Sequence, residues 1–253
     1  MTLAIVRPSP DSEQLAQQLA SAGIPARAEP IMGTQVGQGE DTLVSQLQQL
    51  QPDDIVIAVS KNAVTFAAKI MTAHKENWPK TVHYMAVGAS SAALFTTETG
   101  QKVTFPQQAD SEGLLALTAL QQVGGRQVLI LRGQDGRETL YRTLQQRGAQ
   151  VSYCETYQRQ WLVDDSHAFF QRWYPDTSGI VVTSQAQLDK LWQWLAPQDI
   201  TWLRSLPVWV PSQRIATRAQ TLGFRTVFTV NSASNCALFA TLSLISRTGQ
   251  TDD

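Results

Sequence analysis

Cysteine and histidine are scarce in these 253 residues. The two cysteines, Cys154 and Cys236, have no CxxC spacing, and His74, His83 and His167 have no metal-ligand spacing. A zinc site, a disulfide scaffold and a CxxC redox motif are therefore not expected. Net charge is also nearly absent. The 20 basic and 21 acidic residues give −1, which supplies no global field to draw nucleic acid or an anionic membrane. No run approaches the ~20 apolar residues of a membrane span. Met1–Ser9 carries no long apolar run behind basic residues, so no signal peptide is expected. There is no GxxxxGK[ST] and no Ser-His-Asp set. Gly124-Gly125-Arg126 precedes a strand instead of following one, so it is not a dinucleotide fingerprint. These absences lead to the expectation of a reduced, cytoplasmic, soluble protein.

What the chain does have is internal repetition. Gln127–Tyr157 reads as strand, polar turn, helix, strand, the unit of a parallel α/β layer. Val128–Leu131 is the first strand, and Arg132-Gly133 ends it. Asp135 and Glu138 suggest a capping box. Leu140 and Leu144 share a helical face, Gly148 closes the helix, and Val151–Tyr157 is the second strand. Leu3–Ile31 repeats this unit without gaps. Arg7 meets Arg132, Leu15 meets Leu140, Leu19 meets Leu144 and Gly23 meets Gly148, each 125 residues apart (132 − 7). Asp54–Val64 likewise resembles Ser178–Leu188, and Val82–Leu120 resembles Pro207–Leu242. The chain thus runs block one, block two, block one, block two. Two α/β domains of about 125 residues are expected, near the usual domain size.

Met32–Glu40, with three glycines and no apolar period, reads as a linker or mobile loop. Ser111 is a plausible cap for a helix reaching Leu120, and Trp161–Phe170 has no clear pattern. Six of the seven tryptophans fall between Trp161 and Trp209 and read as packing residues. Cys154 reads as a buried strand residue.

Every predicted strand ends in small polar residues or arginine and is followed by a helix. Ligands of open parallel sheets bind beyond these carboxyl ends, where helix N-termini present free N–H groups. Arg7 and Arg132 stand at equivalent strand ends with Arg137 nearby, and a guanidinium fork there suits carboxylate or phosphate. Ser60, Ser90, Ser91, Thr183, Ser184 and Ser212 fall at helix starts, where capping and ligand binding are compatible. Lys61, Asn62 and Arg214 lie in the same turns. Tyr157 ends a strand at this edge and offers a phenol. If two such edges face each other, the cleft suits a ligand with many negative groups.

The chain resembles the bacterial uroporphyrinogen-III synthases over nearly its whole length. The resemblance is carried by VRP at 6–8, AVSKNAV at 58–64, AVG at 86–88 and LILRGQDGRETLYRTLQQRGAQVSYCETYQR at 129–159, with VVTS at 181–184 and LGF at 222–224. It implies two similar domains, each a parallel sheet flanked by helices, joined by two strand-like linkers. The outer domain would be residues 1–31 plus 161–253, the inner 36–156, and the linkers 32–35 and 157–160. The implied reaction closes the linear tetrapyrrole hydroxymethylbilane to uroporphyrinogen III, losing water and inverting ring D through a spiro intermediate. It needs no metal or organic cofactor. The substrate's eight carboxylates match the arginines, hydroxyls and helix N-termini above, and the tyrosine matching Tyr157 is assigned the part of donor to the departing hydroxide. A monomer binding no nucleic acid is expected. Two departures stand out: Pro211-Ser212-Gln213-Arg214 replaces a Gly-x-x-Thr frequent in the family, and Val6 replaces a threonine often found before Arg-Pro. A non-catalytic two-domain binding or sensor protein is the competing reading.

Overall fold

Strands and helices alternate along the computed structural model, which describes residues 2–134, 138–173, 176–195 and 199–248. The first part of the chain forms β1 (Thr2–Val6), α1 (Asp11–Ser21), β2 (Ala26–Ala28), β3 (Met32–Val36) and α2 (Leu43–Gln48). Next come β4 (Ile55–Ala58), α3 (Lys61–Ala73), β5 (His83–Ala86), α4 (Ala89–Thr99), β6 (Val103–Thr104) and α5 (Ser111–Leu115). Then follow β7 (Gln127–Gly133), α6 (Thr139–Gln146), β8 (Gln150–Trp161), α7 (Ser166–Gln171) and β9 (Thr177–Val182). The last are α8 (Gln185–Trp194), α9 (Ile200–Ser205), β10 (Val208–Val210), α10 (Gln213–Thr221), β11 (Val227–Thr229) and α11 (Asn235–Thr248). The chain divides into two units, with boundaries at Gly33/Thr34 and Arg159/Gln160.

The unit built from the two ends of the chain has a five-stranded sheet of order β11-β10-β9-β1-β2. All its pairings are parallel, and Ile5 stands opposite Val181. Ala4–Val6 and Ile180–Val182 are continuous apolar runs because helices cover both sheet faces. One face packs Leu15, Leu19, Leu238 and Leu242 against Ile5 and Val181. The other packs Phe170, Trp173, Leu188 and Ile215 against Val6, Val182 and Val210.

The unit between residues 34 and 159 repeats that order as β6-β5-β4-β7-β8, with β3 added beyond β8. Ile57 stands opposite Ile130 and Met85 in parallel register. Val56, Ala58, Leu129 and Leu131 face α3 and α4, and Ile55, Ile57, Val128 and Ile130 face Leu114, Leu140 and Leu144. The duplication extends to local backbone. Gly23 and Gly148 end α1 and α6 at φ +78° and +84°, a left-handed conformation costly for any residue with a Cβ.

Several local expectations need correction. Residues 32–40 are not a loop but β3 followed by a tight 3-10 turn at Gln38–Asp41. This edge strand runs antiparallel to β8, so the second sheet is mixed. Gly37 N donates to Thr156 O at 3.0 Å, and Leu162 N donates to Ile31 O at 3.0 Å. The glycines that suggested flexibility are there for space: a Cβ on Gly37 would lie 2.2 Å from Glu155 O, and one on Gly39 2.5 Å from Cys154 Sγ. β8 continues to Trp161 because β3 pairs with its polar end. α5 ends at Leu115 and is capped by Asp110, not Ser111, through Oδ1 accepting from Gly113 N at 2.7 Å. The unassigned stretch after Trp161 contains α7, capped by Asp165. Asp135 lies outside the described residues, and α6 begins at Thr139 with the Glu138 carboxylate bound to Arg142 at 2.6 Å.

Cys154 is 1% exposed, and burial pushes its thiol up to about 12 from an ordinary 9.0. Cys236 is exposed. One thiol per native molecule should therefore react with a thiol reagent at pH 8, and both after unfolding; equal labelling of both in the native protein would contradict the packing. The sign of the pH effect follows. The folded state keeps the Cys154 proton where the unfolded chain loses it, so this group's contribution is intact below the ordinary thiol value and falls as pH rises past it.

Candidate active site

The carboxyl end of the second unit's sheet holds most of the sequence-predicted site residues. Ser60 caps α3: its Oγ accepts from Ala63 N at 3.1 Å while its backbone is extended. The phenol of Tyr157 lies 3.3 Å from the same Oγ. The Tyr157 ring stacks on Phe66 at 5.9 Å. On β7 it lies against Gly133, where a Cβ would come within 2.5 Å of the ring. Gly133 is also where the β7–β8 register shifts, so that it stands opposite Tyr157 instead of the next residue in step. The result is a phenol held over the start of α3, where unpaired N–H groups make the potential positive. Lys61 and Asn62 occupy the first turn of α3 and are exposed. Gly88, not a serine, is the N-cap of α4; Ser90 and Ser91 sit inside its first turn, the former exposed and the latter buried.

Arg132 is the next-to-last residue of β7 and is buried, with Nε donating to Gly133 O at 3.0 Å and the guanidinium stacked 4.3 Å over the Tyr153 ring. It lines a cavity of 380 Å³ together with Val59, Val87, Asp110, Ser111 and Leu140. Arg137 lies outside the described residues.

In the other unit, Arg7 is buried at the end of β1. Its Nη2 pairs with Asp11 Oδ2 at 2.7 Å, and its Nη1 donates to Asn235 Oδ1. Ser184 caps α8 by accepting from Gln187 N at 3.2 Å. Thr183 Oγ1 donates to Gln187 Oε1 at 3.3 Å. Ser212 is the N-cap of α10 by backbone conformation alone, its side chain making no cap bond. Arg214 is exposed and donates to Gln185 Oε1 at 2.8 Å. So Ser60 meets Tyr157 within one unit; Thr183 and Ser184 meet through Gln187, and Arg214 meets the start of α8 through Gln185, in the other.

Four residues of these sites were not singled out from sequence. Gln187 and Asn235 are polar positions inside or at the start of helices with no local signal. Tyr153 could have been found from its alternation with Val151 and Glu155 on the strand leading to Tyr157. Asp110 precedes Ser111 and is an equally good capping residue type. Among the described residues no group of three His, Cys, Asp or Glu is placed to hold a metal, and no helix is long and apolar enough to cross a membrane.

A family model described as uroporphyrinogen-III synthase HemD matches residues 13–240. The uroporphyrinogen-III synthases of Escherichia coli K12 and Salmonella typhimurium LT2 are each 37% identical to this chain over 246 residues, covering 96% of it and 100% of theirs. That of Proteus mirabilis is 40% identical over 174 residues, 68% of this chain and 87% of its own. Among solved structures, a mutant uroporphyrinogen III synthase from Thermus thermophilus has a TM-score of 0.57 at 15% identity, covering 97% of this chain and 99% of its own. The Helicobacter pylori 26695 uroporphyrinogen-III synthetase has 0.53 at 14%, covering 96% and 99%. At such identities the structures speak for the fold, and the bacterial sequences, aligned from end to end, speak for descent: the chain belongs to the uroporphyrinogen-III synthase family.

Proposed function

We infer that this chain closes hydroxymethylbilane to uroporphyrinogen III, with loss of water and inversion of ring D. The observation that carries the reading is the match to the synthases over 96% of the chain. The site chemistry agrees with it. The reaction begins by breaking the C–O bond of the terminal hydroxymethyl group. Electrons from the pyrrole nitrogen form an azafulvene, and the departing oxygen needs a proton to leave as water. The Tyr157 phenol is our candidate donor. Ser60 Oγ already accepts from Ala63 N, which leaves its own hydrogen free to point at the phenol oxygen 3.3 Å away. Negative charge developing on Tyr157 would then meet the Ser60 hydroxyl and the start of α3, donors in place before the reaction. The azafulvene is reactive, so the remaining work is to hold the chain in the productive shape.

We assign contacts with the substrate carboxylates to Ser60, Lys61, Asn62, Ser90, Ser91 and Arg132 in one unit and to Thr183, Ser184, Ser212 and Arg214 in the other. The enzyme is read as a cytoplasmic monomer that binds no nucleic acid. The decisive test is turnover of enzymatically generated hydroxymethylbilane without added cofactor, with product isomers separated after oxidation. Isomer III is expected. Isomer I alone, the product of unassisted closure, would return the chain to the class of binding proteins.

A further inference from the structure

We infer that Thr156 is a positioning residue: the β-bulge it occupies turns Tyr157 toward Ser60, and its hydroxyl pins that bulge to α3. Its consequence for catalysis rests on the synthase reading. Side chains of a regular strand alternate between the two sheet faces. β8 keeps this alternation at first. Val151 and Tyr153 pack with Leu140 and Leu144 on one face, and Cys154 packs with Leu131 and Ala63 on the other. Strict alternation would return Tyr157 to the Tyr153 face, away from α3. It packs instead in the cluster that holds Cys154 and Ala63. The change of face falls where the pairing register slips. Arg132 stands opposite Glu155 and Gly133 opposite Tyr157, which makes Thr156 the extra residue of β8. A slip of one residue exchanges the two faces of a strand, and bulges beside reacting groups re-aim side chains in this way.

Thr156 is 0% exposed, and a buried hydroxyl needs a partner. Its single hydrogen is shared between Ala63 O at 3.1 Å and Arg132 O at 3.4 Å. Ala63 is also the residue whose N–H is held by Ser60 Oγ. One residue thus anchors both sides of the phenol contact: Ser60 through its N–H, and the strand carrying Tyr157 through its C=O. The contacts close a ring from Thr156 to Ala63, to Ser60, to Tyr157, which is bonded to Thr156 in the chain. Gly37 N donates to Thr156 O and Gln134 N to Tyr157 O, both at 3.0 Å, so the bulge's backbone is held in the sheet while the hydroxyl ties it to the helix. Without that hydroxyl the 3.3 Å contact between Tyr157 and Ser60 loses its fixed span.

The test uses the full chain carrying Thr156→Val, Thr156→Ala or Thr156→Ser, each alone and combined with Tyr157→Phe. Valine and alanine lack the hydroxyl and differ in bulk, so one of them reports if the other does not fold; serine keeps it. With hydroxymethylbilane, Thr156→Val and Thr156→Ala should lower kcat roughly tenfold and leave KM within about twofold, because the geometry of one reacting group is lost and not a substrate contact. Thr156→Ser should recover most of kcat. In the Tyr157→Phe protein the same substitutions should change kcat by less than about twofold, since the group they position is already gone. Losses that multiply in that background, a Thr156→Ser kcat as low as that of Thr156→Ala, or a wild-type kcat without the hydroxyl would each overturn the inference. Crystal structures of wild type and Thr156→Ala separate the positioning from the reaction. The phenol oxygen should move from Ser60 by about 1 Å, a displacement large enough to matter at a reacting group. If wild type makes no isomer III yet the shift appears, the synthase reading fails and the positioning stands. An unmoved phenol overturns the positioning, whatever the enzyme makes.

Discussion

Tyr157→Phe should lower kcat by roughly 100-fold or more, the usual worth of a positioned proton donor, while leaving the protein folded. The ring's packing does not depend on the hydroxyl. Phe66 stacks on its face, and Gly133 leaves room for it on β7. What is lost is the 3.3 Å contact with Ser60, worth about 1 kcal/mol of stability. The melting temperature should therefore fall by only a few degrees. Unprocessed hydroxymethylbilane released from the variant would close without inversion, so the product should shift from isomer III toward isomer I. A variant with near-wild-type kcat would transfer the donor's part to water or to the backbone amides at the start of α3.

Gly133→Ala should be nearly as damaging to kcat, and for a reason visible only in three dimensions. The added Cβ would lie 2.5, 2.6 and 2.9 Å from three ring carbons of Tyr157. No real methyl tolerates that approach, and the ring must move. The phenol must swing away from Ser60, and a displacement of about 1 Å at a reacting group can cost 100-fold. Overpacking should cost about 1–3 kcal/mol of stability. The double variant Gly133→Ala/Tyr157→Phe separates the causes. If the glycine acts by placing the phenol, adding it to Tyr157→Phe should change kcat little, because the group it positions is already gone. Independent, multiplying losses would refute that link.

The duplicated strand–helix–strand unit was legible because a gapless match of an arginine, two leucines and a glycine survives in both copies. The caps Ser60 and Ser184 were legible because capping follows local chemistry, a hydroxyl before a helical run. β3 was not, since MGTQV has no apolar alternation and becomes a strand only by pairing with β8. α9, Ile200–Ser205, was missed because six residues carry too little period to read. The contrast between the two arginines was half legible. Asp11 is in the sequence, but only side-chain geometry shows that Asn235 takes the other terminal nitrogen of Arg7, and that Arg132 meets Gly133 O and the Tyr153 ring.

The place of β1 within its sheet bears on how the protein is made. Leu3 pairs with Gly179, about 175 residues later, so β1 must wait for β9 before its sheet can form. At the usual pace of translation, about 5–20 residues per second, that delay is on the order of ten to thirty seconds. During it Leu3–Val6, buried in the finished protein, has no partner on its β9 side. Residues 34–159 emerge whole in the same interval and can complete their own sheet first. Residues 34–159 can thus fold before β1 finds its partner, and Leu3–Val6 stays available to chaperones until β9 has been made.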